Sequence, residues 1–590
     1  MVAGHLREGL NQLSLVLLLT AFTLPLFVGL GRVELENDEA IYSYAVGSIL
    51  DTGEWASPRS SPNPDVVFLE KPPLKFWVVA APLRLGLLPP DEFGLRFWDA
   101  VFGGTAFVYV FLIGRRLSGA ICGAVALLVL FAHEPLLFTH GLRSNNMEAA
   151  LFLSYCGGIY HYLALMAADS TRRGTWHIAA ISGWFFLGFM TKFVAALFLP
   201  VILAGAAVLL PAHRQRLFED RRRWGAAVVI TTAGILPWFA YQYAVHGTML
   251  LQVMFGEHVY TRFTEYADPR HVQPWHFYFT EASRQLARSG SAAWVVFGLG
   301  ILAAHTAARR LPEGVVLGLW LVVPLIPLSL GTSKLYHYFY PYLPPLALAA
   351  GYGVGWVAGA ISRTARGWFY GASPPASGWR RGVFLPLAYL AAVVALGTAI
   401  EPIRLELDGR TIFSNHSIVR PLLAALGFAW LAGHRRLTLG AGAVLLLNLV
   451  APTPLDAYSA NLRRLTERRE PLKQLGECLR EVDELRRARG EKVFEPYTPL
   501  SSEAFLHTYS YYLRGSGWMA PEVDDDLMHE ALFVPGRQRP VVIDAARYHA
   551  FIERARPPGA LPPGISRPDL VVLLPADYNV CRFDRAIRPR

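Results

Sequence analysis

The chain has 590 residues, of which 53% are hydrophobic and 17% are charged. Soluble globular proteins carry about 25% charged residues, so this composition excludes an ordinary soluble enzyme. The net charge is +10, but the basic residues stand in short clusters between apolar blocks. Such clusters orient membrane proteins and do not indicate nucleic-acid binding. Four cysteines in this length are too few for a disulfide scaffold.

The apolar blocks are about 20 residues long, the length that a helix needs to cross a bilayer. Placing every Lys and Arg cluster on the cytoplasmic side predicts a polytopic α-helical membrane protein with about 13 transmembrane helices. The first block lacks a small-residue cleavage site and is interpreted as a retained anchor, with a cytoplasmic N-terminus. The predicted spans are 13–31, 96–115, 119–139, 147–168, 176–191, 194–211, 225–243, 293–309, 314–332, 339–360, 383–400, 420–434 and 437–453.

Composition divides the chain into a membrane domain over 1–454 and a soluble domain over 455–590 on the outer face. Two long external loops, 32–95 and 244–292, interrupt the membrane domain. The first contains an apolar, proline-broken piece, Phe76–Leu88, which is too short to span comfortably and is predicted to be a helix at the membrane interface.

The tail has a mixed pattern that predicts a small α/β domain. Helical periodicity extends over Arg463–Arg489, and buried-strand patterns begin at Pro540 and Leu570. The tail also holds Cys478 and Cys581, which could form a disulfide in an oxidising compartment. Sequence alone leaves that pairing open.

An ionisable residue at the outer end of a membrane span is partly buried at a cost in free energy, so its presence there indicates a function. Asp38 and Glu39 follow the first span, with Tyr42 close behind. The acidic pair could supply a general base while the tyrosine lines a site. Alternatively, Asn37 or Asp38 caps a helix whose first turn favours carboxylates.

Further along the first loop, Glu70 and Lys71 precede two prolines in the string FLEKPPLKFW. A lysine before proline sits on extended backbone, and its ammonium suits a phosphate. Glu70 could bind a metal or balance the lysine, and an interfacial lysine anchor is the simpler alternative. Arg143 and Lys192 also lie at outer ends of predicted spans, where they could meet an acid or an anionic head group or simply snorkel.

The second long loop contains GEHVYTRF, with His258 and Arg262 at a spacing that shares one helix face. His258 is a candidate metal ligand together with a carboxylate from another loop. Near the tenth predicted span, TSKLYHYFYPYLPP carries Lys334, Tyr336 and Tyr338. An aromatic belt explains the tyrosines but not the lysine among them.

In this order the motifs resemble the multispanning glycosyltransferases of the GT-C type. The similarity is greatest to the branch with bacterial lipid A aminoarabinose transferases and protein O-mannosyltransferases, and it extends over about residues 10–350. It implies a periplasmic active site in the bacterial inner membrane and a polyprenyl-phosphate-linked sugar donor. The acceptor would be lipid A, a glycan or a protein, and transfer would invert the anomeric centre.

The resemblance also implies roles for individual residues. Asp38 matches the catalytic aspartate of the first loop, with Glu39 beside it, and Glu70 and His258 match positions associated with a divalent metal such as zinc, magnesium or manganese. The implied phosphate-binding residues are Lys71, Lys192, Arg262 and Lys334, and the implied substrate-binding residues are Tyr42, Arg143, Tyr336 and Tyr338.

Three departures from the family pattern bear on these roles. Phe193 follows Lys192 where a glycine is usual, Arg262 lies one residue further from His258 than in EHxxRF, and Glu148 stands where many relatives have Asp. A transporter or lipid flippase is the alternative function, but it predicts ionisable residues near mid-bilayer and symmetry-related repeats. The ionisable groups here concentrate at the outer rim instead.

Overall fold

The computed structural model describes residues 2–59, 66–265, 269–369, 378–400, 403–407, 410–415, 418–433, 453–467, 471–494, 496–499, 511–512, 523–555, 564–566 and 570–575. Most of these residues are helical. The α-helices are Val2–Thr23 (α1), Asn37–Thr52 (α2), Leu74–Arg84 (α3), Glu92–Ser118 (α4), Ala120–Ala132 (α5), Glu134–Phe138 (α6), Glu148–Met166 (α7), Thr171–Lys192 (α8), Phe198–Leu209 (α9), Pro211–Glu219 (α10), Arg221–His246 (α11), Thr248–Leu251 (α12), Arg262–Thr264 (α13), Phe277–Arg288 (α14), Ala292–Arg309 (α15), Pro312–Leu330 (α16), Pro344–Phe369 (α17), Gly378–Ile400 (α18), Val419–Leu431 (α19), Pro454–Arg464 (α20), Pro471–Ala488 (α21), Asp525–Phe533 (α22) and Ala545–Ala555 (α23).

Short helices of other types and five strands complete the described secondary structure. The 3₁₀ segments are Leu24–Phe27, Phe193–Leu197, Pro269–His271 and Tyr336–Tyr342, and Gln252–Thr261 is a π-helix. The strands are Ile403–Leu407 (β1), Arg410–Asn415 (β2), Val541–Asp544 (β3), Gly564–Ser566 (β4) and Leu570–Leu573 (β5).

Seven helical segments of the described chain are long and apolar enough to cross a membrane, and an eighth is the bent pair Tyr336–Tyr342 and Pro344–Ala360. Three shorter apolar helices, Gln12–Phe27, Ala120–Ala132 and Arg420–Leu431, coincide with further predicted spans. The chain is therefore a polytopic helical membrane protein. The count of 13 spans is not confirmed, and the predicted span 437–453 lies outside the described residues.

Contacts divide the chain into two compact units. The first comprises Met1–Leu30, Leu69–Lys75 and Arg96–Glu467, and the second comprises Gly31–Phe68, Phe76–Leu95 and Arg468–Arg590. Most of the first loop and the tail are thus far apart in sequence but belong to the same compact unit, whereas the loop segment Leu69–Lys75 belongs to the first unit.

In the first unit, α7 and α8 form the closest helix pair. They run antiparallel, so the start of α7 at Glu148 meets the end of α8 at Lys192. Close approach requires a small residue, because a Cβ added to Gly188 would lie 2.4 Å from Ser154 Oγ. This packing brings two charged ends together.

A buried ion pair also stabilises the first unit. Lys75 Nζ lies 2.7 Å from Asp99 Oδ2 and 2.9 Å from Asn145 Oδ1. The side chains of Lys75 and Asp99 are 1% and 0% exposed. Burial makes each charge dependent on its partner, since an unpaired ion away from water is strongly unfavourable.

The second unit begins with α2, which has a capping box. The Glu36 side chain accepts from the helix backbone, and Glu39 Oε2 accepts from the Glu36 N–H at 3.0 Å. The cap is therefore Glu36, and the predicted caps Asn37 and Asp38 are wrong. Helix α3 corresponds to the predicted interfacial helix over Phe76–Leu88, although its end at Arg84 is earlier than predicted.

The tail part of the second unit contains a three-stranded antiparallel sheet in the order β3-β5-β4. Strands β3 and β5 confirm the two predicted strand patterns, whereas β4 was not predicted. The predicted helix Arg463–Arg489 is in fact two helices, α20 and α21. Apolar residues of α22, α23 and the sheet form one core, including Met528, Leu532, Val541, Ile543 and Phe551.

Cys478 on α21 is disulfide-bonded. Cys122 and Cys156 are free and buried, and Cys581, the partner considered from the sequence, lies outside the described residues.

Replacing Asp99 by Asn should lower the thermal unfolding midpoint of the detergent-solubilised protein, because the buried Lys75 charge would lose its counter-ion. Removing one partner of a buried pair costs about 3–5 kcal/mol. Asp169→Asn is the matched control, since its pair with Arg173 is exposed and contributes ~0.2–1 kcal/mol. Equal midpoints for the two variants would contradict the assigned role of the Lys75–Asp99 pair.

Candidate active site

A pocket in the first unit is lined by five of the ionisable residues that the sequence analysis singled out: Glu70, Lys71, Lys192, His258 and Arg262. Its walls combine three cations with apolar and aromatic side chains. It is lined by Glu70, Lys71, Leu151, Lys192, Phe193, Val194, Ala195, Phe198, His258, Val259, Arg262, Phe263, Pro327, Leu328, Gly331, Ser333, His337, Tyr338 and Tyr342.

Glu70 and Lys71 enter the pocket from the segment before α3. The prolines at 72 and 73 keep this segment out of the helix, which begins at Leu74. Glu70 Oε2 lies 3.4 Å from Lys71 Nζ and 3.5 Å from His258 Nε2. One carboxylate therefore contacts both an ammonium and an imidazole.

The electrostatics of this group favour an ionised acid beside a neutral base. Burial raises the pKa of Glu70, but the charges of Lys71, His258 and Arg262 outweigh it and lower the pKa overall. Burial lowers the pKa of His258 from 6.5 to about 4, against an opposing contribution from Glu70. His258 is thus neutral at physiological pH, the form that ligates metals.

Lys192 reaches the pocket from the end of α8. Its ammonium pairs with the Glu148 carboxylate and lies 4.9 Å from the centre of the Tyr338 ring. Side-chain exposure is 15% for Lys192 and 5% for Glu148. Glu148 therefore lies behind the lysine and holds its ammonium at the pocket wall.

The residue after Lys192 has an unusual backbone. Phe193 adopts φ 40°, a left-handed conformation that favours glycine. The ring of Phe193 packs edge-on against Phe255, with centroids 5.0 Å apart. The departure from a glycine in the sequence is therefore accompanied by real backbone strain, offset by aromatic packing.

His258 belongs to a π-helix and Arg262 begins the short helix that follows it. Each π turn takes one more residue than an α turn. This explains how a longer spacing than EHxxRF still places both side chains in the pocket. Arg262 Nη1 donates to Tyr338 Oη at 2.9 Å.

Three further predicted site residues of the first unit form hydrogen bonds to backbone carbonyls or to a neighbouring side chain. The Arg143 guanidinium donates to the carbonyls of Leu26 and Val28, and the Lys334 ammonium donates to the carbonyls of Gln273 and Gly331.

Tyr336 Oη lies 2.9 Å from His133 Nε2. Neither Arg143, Lys334 nor Tyr336 lines the pocket. Their predicted substrate contacts stay predictions.

Asp38, Glu39 and Tyr42 belong to the second unit. Asp38 is partly exposed in the first turn of α2. Glu39 is buried and closes the capping box. Tyr42 packs against Phe68 and Phe76, with ring centroids 6.0 Å apart in both cases. Glu39 therefore has a structural role in the first turn of α2, where its carboxylate closes the capping box.

The structure also reveals pocket residues that the sequence analysis left without a role. His337 and Tyr342 line the pocket, but they stood inside an aromatic string that an interfacial belt explained. The sequence analysis also did not predict the ion pair between Lys75 and Asp99, because the two residues are 24 positions apart in the chain.

Acidification should destabilise the protein through His258. Between pH 6.5 and about 4 the unfolded chain binds this proton and the folded chain does not, so stability falls as pH falls. His258→Gln should flatten the decline of the thermal unfolding midpoint over this interval. His276→Gln, at an exposed position, should keep the wild-type slope, and an unchanged slope in His258→Gln would contradict the assignment.

Known proteins similar to this chain include glycosyltransferases. Residues 70–241 match the family model described as dolichyl-phosphate-mannose-protein mannosyltransferase. An undecaprenyl phosphate-alpha-4-amino-4-deoxy-L-arabinose arabinosyl transferase of Pseudomonas savastanoi is 28% identical over 345 residues, 58% of this chain and 61% of that protein. A relative of the same name from Sodalis glossinidius is 30% identical over 58% of this chain and 59% of its own length. The chain thus spans about three-fifths of these relatives.

The fold is shared with a solved structure. The crystal structure of ArnT from Cupriavidus metallidurans bound to undecaprenyl phosphate has a TM-score of 0.58 and 17% identity, and the match covers 95% of this chain and 98% of that one. The comparisons confirm the resemblance drawn from the motifs. This chain is a helical membrane protein that shares the fold of ArnT and is similar in sequence to the aminoarabinose transferases.

Proposed function

We propose that this protein transfers a sugar from a polyprenyl phosphate donor to an acceptor of the cell envelope. The observation that carries the proposal is the pocket in which Lys71, Lys192 and Arg262 stand among apolar walls. A lipid-linked phosphate has this combination of charge and apolar surface. Lipid A, a glycan or a protein is the acceptor class.

The pocket suits a phosphate leaving group. The acceptor hydroxyl, or a phosphate oxygen if the acceptor is lipid A, attacks the anomeric carbon. The bond between that carbon and the phosphate oxygen of the donor breaks, and its electron pair moves to the donor phosphate. Three fixed cations stabilise the charge that develops there, since they need no reorganisation as the reaction proceeds. Attack in one step, from the face opposite the phosphate, inverts the anomeric centre.

Asp38 is our candidate general base for the acceptor proton. The capping box of α2 uses Glu36 and Glu39, so helix capping does not account for Asp38. Its partial exposure also leaves it accessible to a substrate. Glu39 would then act by holding the first turn of α2, and Tyr42 by packing beneath it.

The remaining predicted site residues fit supporting roles in this proposal. Tyr338 links the two cations Lys192 and Arg262 and would orient them toward the phosphate. Arg143 and Lys334 would position backbone segments of the first unit through the carbonyls that they bind. Tyr336 would help to place the neighbouring Tyr338.

We also propose that the chain resides in the bacterial inner membrane, with about 13 spans and a cytoplasmic N-terminus. The tail would form a periplasmic α/β domain over 455–590. Two observations support that side for the tail: the sheet and helices of a soluble core and the disulfide at Cys478, which persists in an oxidising compartment.

Glu70 and His258 provide two ligands for a divalent metal, an ionised carboxylate and a neutral imidazole. Within the part of the chain that is described, no cluster of three His, Cys, Asp or Glu side chains could hold an ion. Catalytic zinc sites have three protein ligands. Two protein ligands alone do not make up such a site, and no step of the proposed reaction is routed through a metal.

Metal content provides a direct test of the Glu70–His258 pair. We expect purified protein, dialysed against zinc and analysed by mass spectrometry, to retain no stoichiometric metal beyond that of the Glu70→Gln, His258→Gln double variant. Two ligands without a third bind ions weakly. Stoichiometric zinc that disappears in the double variant would contradict this expectation.

The transfer activity can be tested with a radiolabelled polyprenyl-phosphate sugar. Asp38→Asn should lower the rate of polyprenyl phosphate release by about 10²–10⁴-fold, the usual contribution of a general base. Lys71→Met should lower it by about 10–100-fold, as expected for a lost hydrogen bond to a charged group. Asp169→Asn on an exposed turn is the matched control.

The same preparations distinguish the enzyme from a lipid transporter. A flippase reconstituted in liposomes would move labelled donor lipid across the bilayer and leave its sugar attached. Transmembrane movement without sugar release, across several donors and acceptors, would refute the proposed function. An Asp38→Asn variant with normal transfer would refute only the role of Asp38.

A further inference from the structure

Two histidines stack beside the Glu148–Lys192 pair, and none of the proposed roles includes them. The rings of His140 and His337 lie 4.4 Å apart between centroids, with an interplanar angle of 14°. His337 Nε2 lies 3.5 Å from Glu148 Oε1, the oxygen that also pairs with Lys192. His337 lines the pocket with its side chain 11% exposed.

The backbone is shaped to present His140 in this stack. His140 has φ 51°, a conformation that costs a non-glycine residue free energy. Gly141 follows, and a Cβ there would lie 1.9 Å from the Leu136 carbonyl oxygen. Three described non-glycine residues have positive φ, and two of them, His140 and Phe193, adjoin the same ion pair. Strain of this kind concentrates at functional sites.

We propose that His337, stacked on His140, takes up a proton when the leaving phosphate gains its second negative charge, and so holds that charge in the pocket. This inference rests on the proposed function. The donor is a phosphodiester with one negative charge, and the released monoester has two. The acceptor proton leaves through Asp38 to solvent, and the proton on His337 enters from solvent, so charge and protons balance.

The surroundings of His337 make its charge sensitive to the ligand. Burial disfavours an imidazolium at His337, and so do the stacked His140, Lys192 on α8, Arg262 on α13 and Lys71 before α3, whereas Glu148 on α7 favours it. A phosphate with two negative charges among these cations offsets their repulsion. An imidazole that is only 11% exposed responds strongly to such a change, because neighbouring charges are poorly screened there.

Calorimetry of ligand binding tests this assignment. Full-length protein in detergent is titrated with undecaprenyl phosphate, and separately with its methyl diester, at pH 7.5 in two buffers of different ionisation enthalpy. The second pKa of a phosphate monoester is about 6, so the monoester enters as the dianion. We expect net proton uptake with the monoester and none with the diester.

Variants then assign the proton to a residue. His337→Gln should abolish the uptake and weaken monoester binding by less than about tenfold, whereas His276→Gln should leave both unchanged. If His337→Gln does not give a monodisperse protein, His140→Asn replaces it, since Asn tolerates the left-handed backbone. Loss of the stacked ring should reduce the uptake while binding persists.

The outcomes separate this inference from the proposed function. Monoester binding without proton uptake, or undiminished uptake in His337→Gln, would overturn the role of His337 and leave the transferase intact. Failure to bind either phosphate would overturn the proposed function and this inference with it.

Discussion

The ion pair between Glu148 and Lys192 is the interaction on which the pocket depends. It joins the start of α7 to the end of α8, so the packing of two long helices determines where one ammonium lies. A lone ammonium at this depth would be costly. The buried carboxylate removes that cost and leaves the lysine partly exposed, so that an anionic ligand can still reach it. Helix packing thus prepares an electrostatic site before any ligand binds.

The same principle, a charge held in place by a neighbouring side chain, recurs around the pocket. Glu70 balances Lys71 and contacts His258, and Tyr338 accepts from Arg262. Each cation therefore has a fixed neighbour and a fixed direction. Fixed dipoles and charges stabilise a transition state better than mobile ones, because they are oriented in advance. A site of this kind can stabilise a leaving phosphate without a bound cofactor supplying the charge.

Local patterns predicted much of the fold and part of the site. The strands β3 and β5 and most apolar helices follow from periodicity, and Lys71, Lys192, His258 and Arg262 meet in one pocket as the order of motifs suggested. Contacts between segments that are far apart in sequence could not be predicted, since the residues of one segment do not indicate which distant segment they contact. The Lys75–Asp99 pair and the grouping of the first loop with the tail are of this type.

Departures from a family pattern were the most informative sequence signals, because each one corresponds to a physical adjustment. The extra residue before Arg262 is taken up by a π turn, and Phe193 is held in a left-handed backbone by aromatic packing. The same constraint applies to His140, whose strained backbone accompanies the stacking of its ring on His337. Strain persists where surrounding structure compensates for it. Its concentration at both sides of the Glu148–Lys192 pair indicates that the pocket geometry, more than the stability of these turns, has determined which residues occupy them.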